Sequence, residues 1–269
     1  MKIEKIVIMM LLGLLLFAGC STNEEYRFVR EISLNGMKPI SIAIAEDGIW
    51  VSDSENNRVV KIDDNGKIIN EFDGFRRPMQ IGLANGKLYV PEYLTDSIKV
   101  IIDGKVIPFN LGIKPNSPAG IDADASIIAV ADFYNHRIIV KDKKETYTFG
   151  NKGHKKGELF YPTDVKIIGD KIVVADAYNN RVQVFSKKGK AISVIGEKDT
   201  LKVASGIDAD ENKIFVTDSN NNRVLVYDWE GNRLQTLTQN ISYPVDVVLN
   251  NNKLFISNFH KGTISIYEK

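Results

Sequence analysis

The stretch from Asp176 to Phe185 reads DAYNNRVQVF, and its pattern returns as DSENNRVVKI from Asp53, DFYNHRIIVK from Asp132 and DSNNNRVLVY from Asp218. Two looser copies, EYLTDSIKVI from Glu92 and NFHKGTISIY from Asn258, fill the gaps. The six starts are 39, 40, 44, 42 and 40 residues apart. A fixed period of this length marks one supersecondary unit, repeated because a single copy cannot bury its apolar face alone. Around Asp176 the unit resolves into short apolar or alternating runs at 163–168, 171–175, 181–185 and 190–195. They are separated by Gly169-Asp170, a loop at 176–180 and a turn at 186–189, which is the signature of strands. Four short antiparallel strands make one propeller blade. The chain is therefore expected to be all-β, a six-bladed β-propeller of four-stranded antiparallel blades, with no helical periodicity after residue 20.

The phase of the repeat predicts how the ring closes. The sixth unit runs through 263–267 and reaches Lys269 with three strands and no fourth. Residues 26–32, YRFVREI, resemble the fourth strand of other units, such as IINEF at 68–72. The N-terminal strand is expected to complete the last blade, which leaves no long open strand edge between first and last blades.

The first residues read as a leader. Lys2 and Lys5 precede an apolar run at 6–17, too short to span a bilayer comfortably, and the run ends in Phe17-Ala18-Gly19-Cys20. This resembles the lipobox of bacterial lipoproteins, with Phe17 where Leu, Val or Ile is usual. The resemblance implies cleavage before Cys20 and acylation of that cysteine, with palmitate among the chains. Cys20 is the single cysteine of 269 residues, so it has no intramolecular disulfide partner. The expected organisation is a lipoprotein signal peptide at 1–19, a lipidated cysteine and short linker at 20–25, and a propeller at 26–269. The expected location is the extracytoplasmic side of the cell envelope, held to the bilayer by the acylated N-terminus; stable anchoring takes more than one acyl chain. With 35 Lys plus Arg against 34 Asp plus Glu, the chain lacks the basic excess of a general nucleic-acid binder.

The repeat resembles the NHL family of β-propellers over essentially all of 26–269. FGNKGHKKGELFYPTDV, 149–165, carries that family's repeat opening, with Gly150, Gly153, Gly157, Phe160 and Pro162 in the usual places. The resemblance implies the propeller fold and leaves function open, since the family includes scaffolds, RNA binders and enzymes. The loop motif has a physical reading of its own. An Asp at a strand end can accept backbone N–H groups of the following turn, and Asn tolerates positive φ there. Arg58, Arg137, Arg181 and Arg223 can return to Asp53, Asp132, Asp176 and Asp218 in charge-assisted bonds that stiffen the loops. Blades two and six depart from the motif, with Glu92 and Asn258 for Asp and Ser97 and Thr263 for Arg.

Propeller ligands usually sit where the innermost strands begin, at the channel mouth. Two residues after each repeat proline or its equivalent stand Ser41, Gln80, Gly120, Asp164, Gly206 and Asp246. Gln80, Asp164 and Asp246 are candidate ligand contacts, and the two aspartates could instead cap backbone at the strand starts. Tyr93, Phe133, Tyr134, Tyr178 and Phe259 lie in the adjoining loops, with Tyr161 and Tyr243 before prolines; they could stack on a sugar or a peptide, or pack between blades. Of these, Tyr93, Tyr134, Tyr178, Phe259 and the neighbouring His260 join the candidate set. Peptide-amidating lyases that resemble NHL proteins carry zinc on histidines directly after the repeat prolines. Here those positions are Ile40, Met79, Ala119, Thr163, Ser205 and Val245. His136, His154 and His260 are expected to be independent surface histidines. Lactonase-type propellers hold a divalent metal with Glu, Asn and Asp in the channel, and the Glu is missing. No catalytic residue, metal ligand or cofactor is assigned. The sequence points to a monomeric, non-catalytic binding or protein-assembly module for an unknown protein, peptide or glycan. The alternative is a lactonase-like, metal-dependent hydrolase or lyase acting at the channel mouth.

Overall fold

The computed structural model describes residues 25–269; the leader and Cys20 lie outside the described residues. The described residues form six four-stranded antiparallel sheets. Five take their strands consecutively from residues 39–72, 82–109, 118–149, 164–195 and 204–237. The sixth combines three strands at 244–268 with Arg27–Ser33. This is a six-bladed β-propeller. In blade four the strands are Asp164–Ile168, Lys171–Asp176, Arg181–Ser186 and Ala191–Ile195, each within a residue or so of the runs read from the sequence. Helical structure among the described residues is limited to one 3-10 turn in each of four blades, at Ser54–Asn56, Phe133–Asn135, Ala177–Asn179 and Ser219–Asn221.

The closing strand is built as the phase of the repeat predicts. Arg27–Ser33 runs antiparallel to Thr263–Glu268, with Ile32 opposite Ile264 and Ser33 opposite Thr263. The register shifts between Phe28 and Arg30, so Val29 is the extra residue of a bulge and is exposed. Tyr26 is buried, meets Phe215 of blade five edge-on at 5.6 Å, and exchanges two backbone hydrogen bonds with the Gln235 side chain, at 3.0 and 2.8 Å.

The core lies between blades. One apolar cluster fills each of the six interfaces, because alternate strand residues face opposite neighbours. The interface between blades six and one is of the same kind as the rest: Ile32, Leu34, Phe255, Ile264 and Ile266 pack on Ile42, Ile49, Val51 and Val60.

Candidate binding face

The loop motif builds one face of the disc. Asp53, Asp132, Asp176 and Asp218 are fully buried, and one oxygen of each receives the Arg Nε of its own blade at 2.6–2.8 Å. The same oxygen takes the Asn side chain of the 3-10 turn in all four blades, at 2.8–2.9 Å. The other oxygen does something the sequence reading missed. It makes no bond to the following turn; it accepts a backbone N–H from the segment leading into the innermost strand, as Phe160 N gives to Asp176 at 2.7 Å. Equivalent bonds run from Lys38, Asn116 and Lys202. Blades two and six keep this bond despite their different residues: Arg76 N donates to Glu92 at 2.8 Å and Ser242 N to Asn258 at 2.9 Å. Their departures from the motif thus preserve its architectural work.

A second clamp joins each of blades one to five to the next, whereas the equivalent residue of blade six is Gly262 and has no side chain. In those five the residue closing the loop sits in the left-handed region, and its side chain accepts the N–H of the residue before the next repeat proline or its equivalent. Asn57 holds Arg77, Asp96 holds Ser117, His136 holds Tyr161, Asn180 holds Val203 and Asn222 holds Tyr243, all at 2.7–3.1 Å. The held residues also have positive φ, including Tyr161 at 53°, Tyr243 at 50° and the β-branched Val203 at 68°. L residues with side chains rarely adopt this conformation, so the clamps must over-determine it. His136 is therefore not the independent surface histidine expected. It is buried, its ring lies 9° from parallel to Phe160, and its Nδ1 must stay unprotonated to accept from Tyr161. Burial and the nearby Lys152 push its pKa below the usual value, consistent with that state. His154 and His260 are exposed, and His260 stacks on Tyr243 at 4.2 Å.

These clamps hold an arc of aromatic rings across blades two to four. Tyr93 contacts Phe133 and Tyr134 at 5.9 Å, Phe133 contacts Tyr161 at 4.8 Å, and Tyr161 contacts Tyr178 at 5.0 Å. The Tyr93 and Tyr134 hydroxyls are 2.9 Å apart, and burial with this bond pushes the Tyr93 pKa up to about 12. Tyr134 is 47% exposed, Tyr178 55% and the adjoining Leu94 63%, so the arc presents apolar area to solvent. Arg77 lies over Tyr93, 4.9 Å from its centroid. Tyr93, Tyr134 and Tyr178 thus come together. Phe259 and His260 form a separate group with Tyr243 in blade six.

The channel candidates belong to a different arrangement. The Gln80 amide crosses the ring from blade two and donates to Ser205 O and Val245 O at 3.1 and 3.0 Å, barring the mouth. Asp164 and Asp246 stitch neighbouring innermost strands, accepting from Ile207 N and Ile42 N, both at 2.9 Å. Asp122 and Asp208, two residues further along their strands, do the same for Ile167 and Leu249. Lys166 lies between them, 2.9 Å from Asp208 and 4.0 Å from Asp122, and the Asp208 charge raises its pKa. This small cavity of about 200 Å3 extends beyond Gln80 toward the far ends of the innermost strands, past Ile44, Leu83 and Leu249. Among the described residues, no three His, Cys, Asp or Glu side chains gather as a metal site requires.

Burial pushes the Asp246 carboxyl up to about 7, and burial together with the Asp246 charge raises Asp164 well above the carboxylate range. The folded chain then holds protons that the unfolded chain releases near pH 3.8, so stability from this pair falls as pH rises from about 4 to about 7. Asp246→Asn keeps an acceptor for Ile42 N and removes the charge. Thermal melts should show the variant gaining on the wild type by a few degrees between pH 5 and pH 8. A difference that stays constant over that range contradicts the assignment.

Comparisons agree with the fold. A family model, DUF5128, described as a 6-bladed beta-propeller, matches residues 154–264. The Drosophila melanogaster protein brain tumor is 32% identical over 85 residues, which cover 29% of this chain and only 8% of that protein. A streptogramin B lyase structure superposes with a TM-score of 0.68 at 17% identity, covering 89% of this chain and 86% of its own. A catalytically inactive virginiamycin B lyase from Staphylococcus aureus, with quinupristin, gives 0.67 at 16% identity over 90% and 85% of the two chains. At these identities the solved structures speak for the fold alone.

Proposed function

We propose that this propeller is an exported, lipid-anchored module of the cell envelope that binds or assembles a partner without catalysing a reaction, using the face built by its loop motifs. The observation carrying this reading is the aromatic arc of half-buried Tyr93 with exposed Tyr134 and Tyr178, beside a channel mouth barred by Gln80. A ligand on this face lies across it and does not enter the ring. Exposed apolar patches of this kind mark interaction sites, and Tyr and Arg are enriched at binding hot spots. A hydrolase or lyase at the mouth would need Asp164 and Asp246 free, and both carboxylates are committed to backbone amides.

The anchor rests on the Cys20 reading. Its consequence follows from topology. Tyr26 lies beneath Lys213, 5.6 Å from Nζ to the ring, and Lys213 belongs to the turn between Ala204–Ala209 and Ile214–Asp218, on the side opposite the loop motifs. A linker of about five residues reaches roughly 18 Å. That side then faces the bilayer and the aromatic arc faces outward. Cys20→Ala should release the protein from salt-washed membranes. A photoreactive residue replacing Tyr178 should form an adduct in intact cells, and one replacing Lys188 on the other side should not. Retention without Cys20 sinks the anchor, and absence of an adduct at 178 sinks the binding face.

A further inference from the structure

Resting on that binding face, we propose that its partner is an acidic polypeptide segment, docked through carboxylates on Arg77, Lys152 and Lys155 and through apolar side chains on Leu94, Tyr134 and Tyr178. Charge is the first argument. Arg76, Arg77, Lys152 and Lys155 flank the arc, are exposed, and have no carboxylate within ion-pair distance among the described residues. Of the acidic residues interleaved with them, Glu55 shares a small pocket with Arg77 and Leu94, and two others already have partners. Asp96 holds Ser117 N and pairs with Lys114 at 3.6 Å, and Glu158 accepts the N–H groups of His154 and Lys155 at 3.0 Å. Around the arc Arg76, Arg77, Lys114, Lys152 and Lys155 outnumber the carboxylates Glu55, Asp96 and Glu158, so this sector is locally cationic although the whole chain is balanced, and complementary charge steers and selects partners.

Ring geometry is the second argument, and it favours a peptide over a sugar. A pyranose stacks on a flat, open ring face. Here the rings meet one another steeply, with interplanar angles of 83° for Phe133 with Tyr134, 85° for Tyr134 with Tyr161 and 62° for Tyr161 with Tyr178, so the arc offers no run of coplanar faces. Tyr134 and Tyr178 stay exposed at these steep angles, and Leu94 lines one small pocket with Arg77, whose guanidinium lies over Tyr93. Rigid tyrosines beside an arginine have the composition of a protein-binding hot spot.

The test uses the full chain, solubilised in detergent and immobilised, and panned against a displayed library of random dodecapeptides, with a printed array of neutral and anionic glycans alongside. Recovered peptides should carry net negative charge with aliphatic or aromatic residues between the carboxylates. Their affinity should fall about tenfold with Arg77→Glu, fall with added salt, and vanish when Tyr134→Ala and Tyr178→Ala are combined. All three side chains are exposed, so a thermal melt can verify that the variants remain folded. Neutral or basic peptides, no peptides, or retention of a glycan instead would each overturn the proposal. An adduct at residue 178 in cells with no acidic peptide recovered defeats this inference alone; loss of that adduct defeats the binding face beneath it.

Discussion

A chain lacking residues 25–33 is expected to yield no soluble, cooperatively folded protein. Those residues supply the outer strand of the sixth blade, paired along Thr263–Glu268. They also bury Tyr26 and Ile32, each 2% exposed, against blade five and blade one respectively. Two large buried side chains are worth about 3–6 kcal/mol together, before any count of the lost ladder. Whole-domain stability is typically only about 5–15 kcal/mol. The deletion also uncovers a strand edge beside Ile264, Ile266 and Tyr267, a template for aggregation. The control is a rearrangement in which the same nine residues follow Lys269 through a short glycine-serine link. That chain should fold, because the strand is needed for what it pairs with and not for its place in the sequence. A deletion that melts like the intact protein, or a rearrangement that fails as the deletion does, would count against closure as the source of the effect.

The strand that closes the ring was legible because a propeller is periodic: a missing fourth strand at one end and a surplus one at the other have a single joint solution. The Asp–Arg pairs were legible for the same reason, since four copies in the same register report one geometry. Three features could not be read this way. Glu92 and Asn258 keep the bond that Asp makes elsewhere, but sequence identity hides it because what is shared is an oxygen at one point in space. Gln80 bars the channel by reaching across it, and its partners Ser205 and Val245 lie more than a hundred residues away. Asp122, Lys166 and Asp208 escape the repeat pattern because they lie one strand period beyond the position two residues after each repeat proline. His136 departs from the expected surface histidine for a related reason. It lies in a loop, but the αL position within it turns the imidazole inward to meet the next blade. The aromatic residues were visible as types. Their assembly into one arc depends on clamps that only the folded chain reveals.

Asp176→Ala is expected to be the most damaging single substitution among the four aspartates of the motif. Asp176 is fully buried and accepts four hydrogen bonds, from Phe160 N, Asn179 Nδ2, Arg181 Nε and Gln183 Nε2, at 2.7–2.9 Å. Its guanidinium partner is only 6% exposed, and the other carboxylate near Arg181, on Glu197, stands 3.4 Å away and is itself 61% exposed. Removing the aspartate leaves this nearly buried cation with only the Lys155 and Glu158 carbonyls and the exposed Glu197, and breaking such a buried pair costs about 3–5 kcal/mol. For a domain of this size that is roughly 10 °C or more of melting temperature. Asp53→Ala is the internal comparison. Arg58 is 23% exposed and already holds Glu71 at 2.7 Å, so a second carboxylate and water soften the loss to less than half. Equal losses from the two substitutions would show that the bonds to backbone, common to both sites, dominate over the buried charge. The Asp176 bond to Phe160 N also fixes the segment from which Phe160 and Tyr161 join the aromatic arc. Asp176→Ala, assayed below its own melting point, should therefore weaken partner binding as well, through the rings it positions.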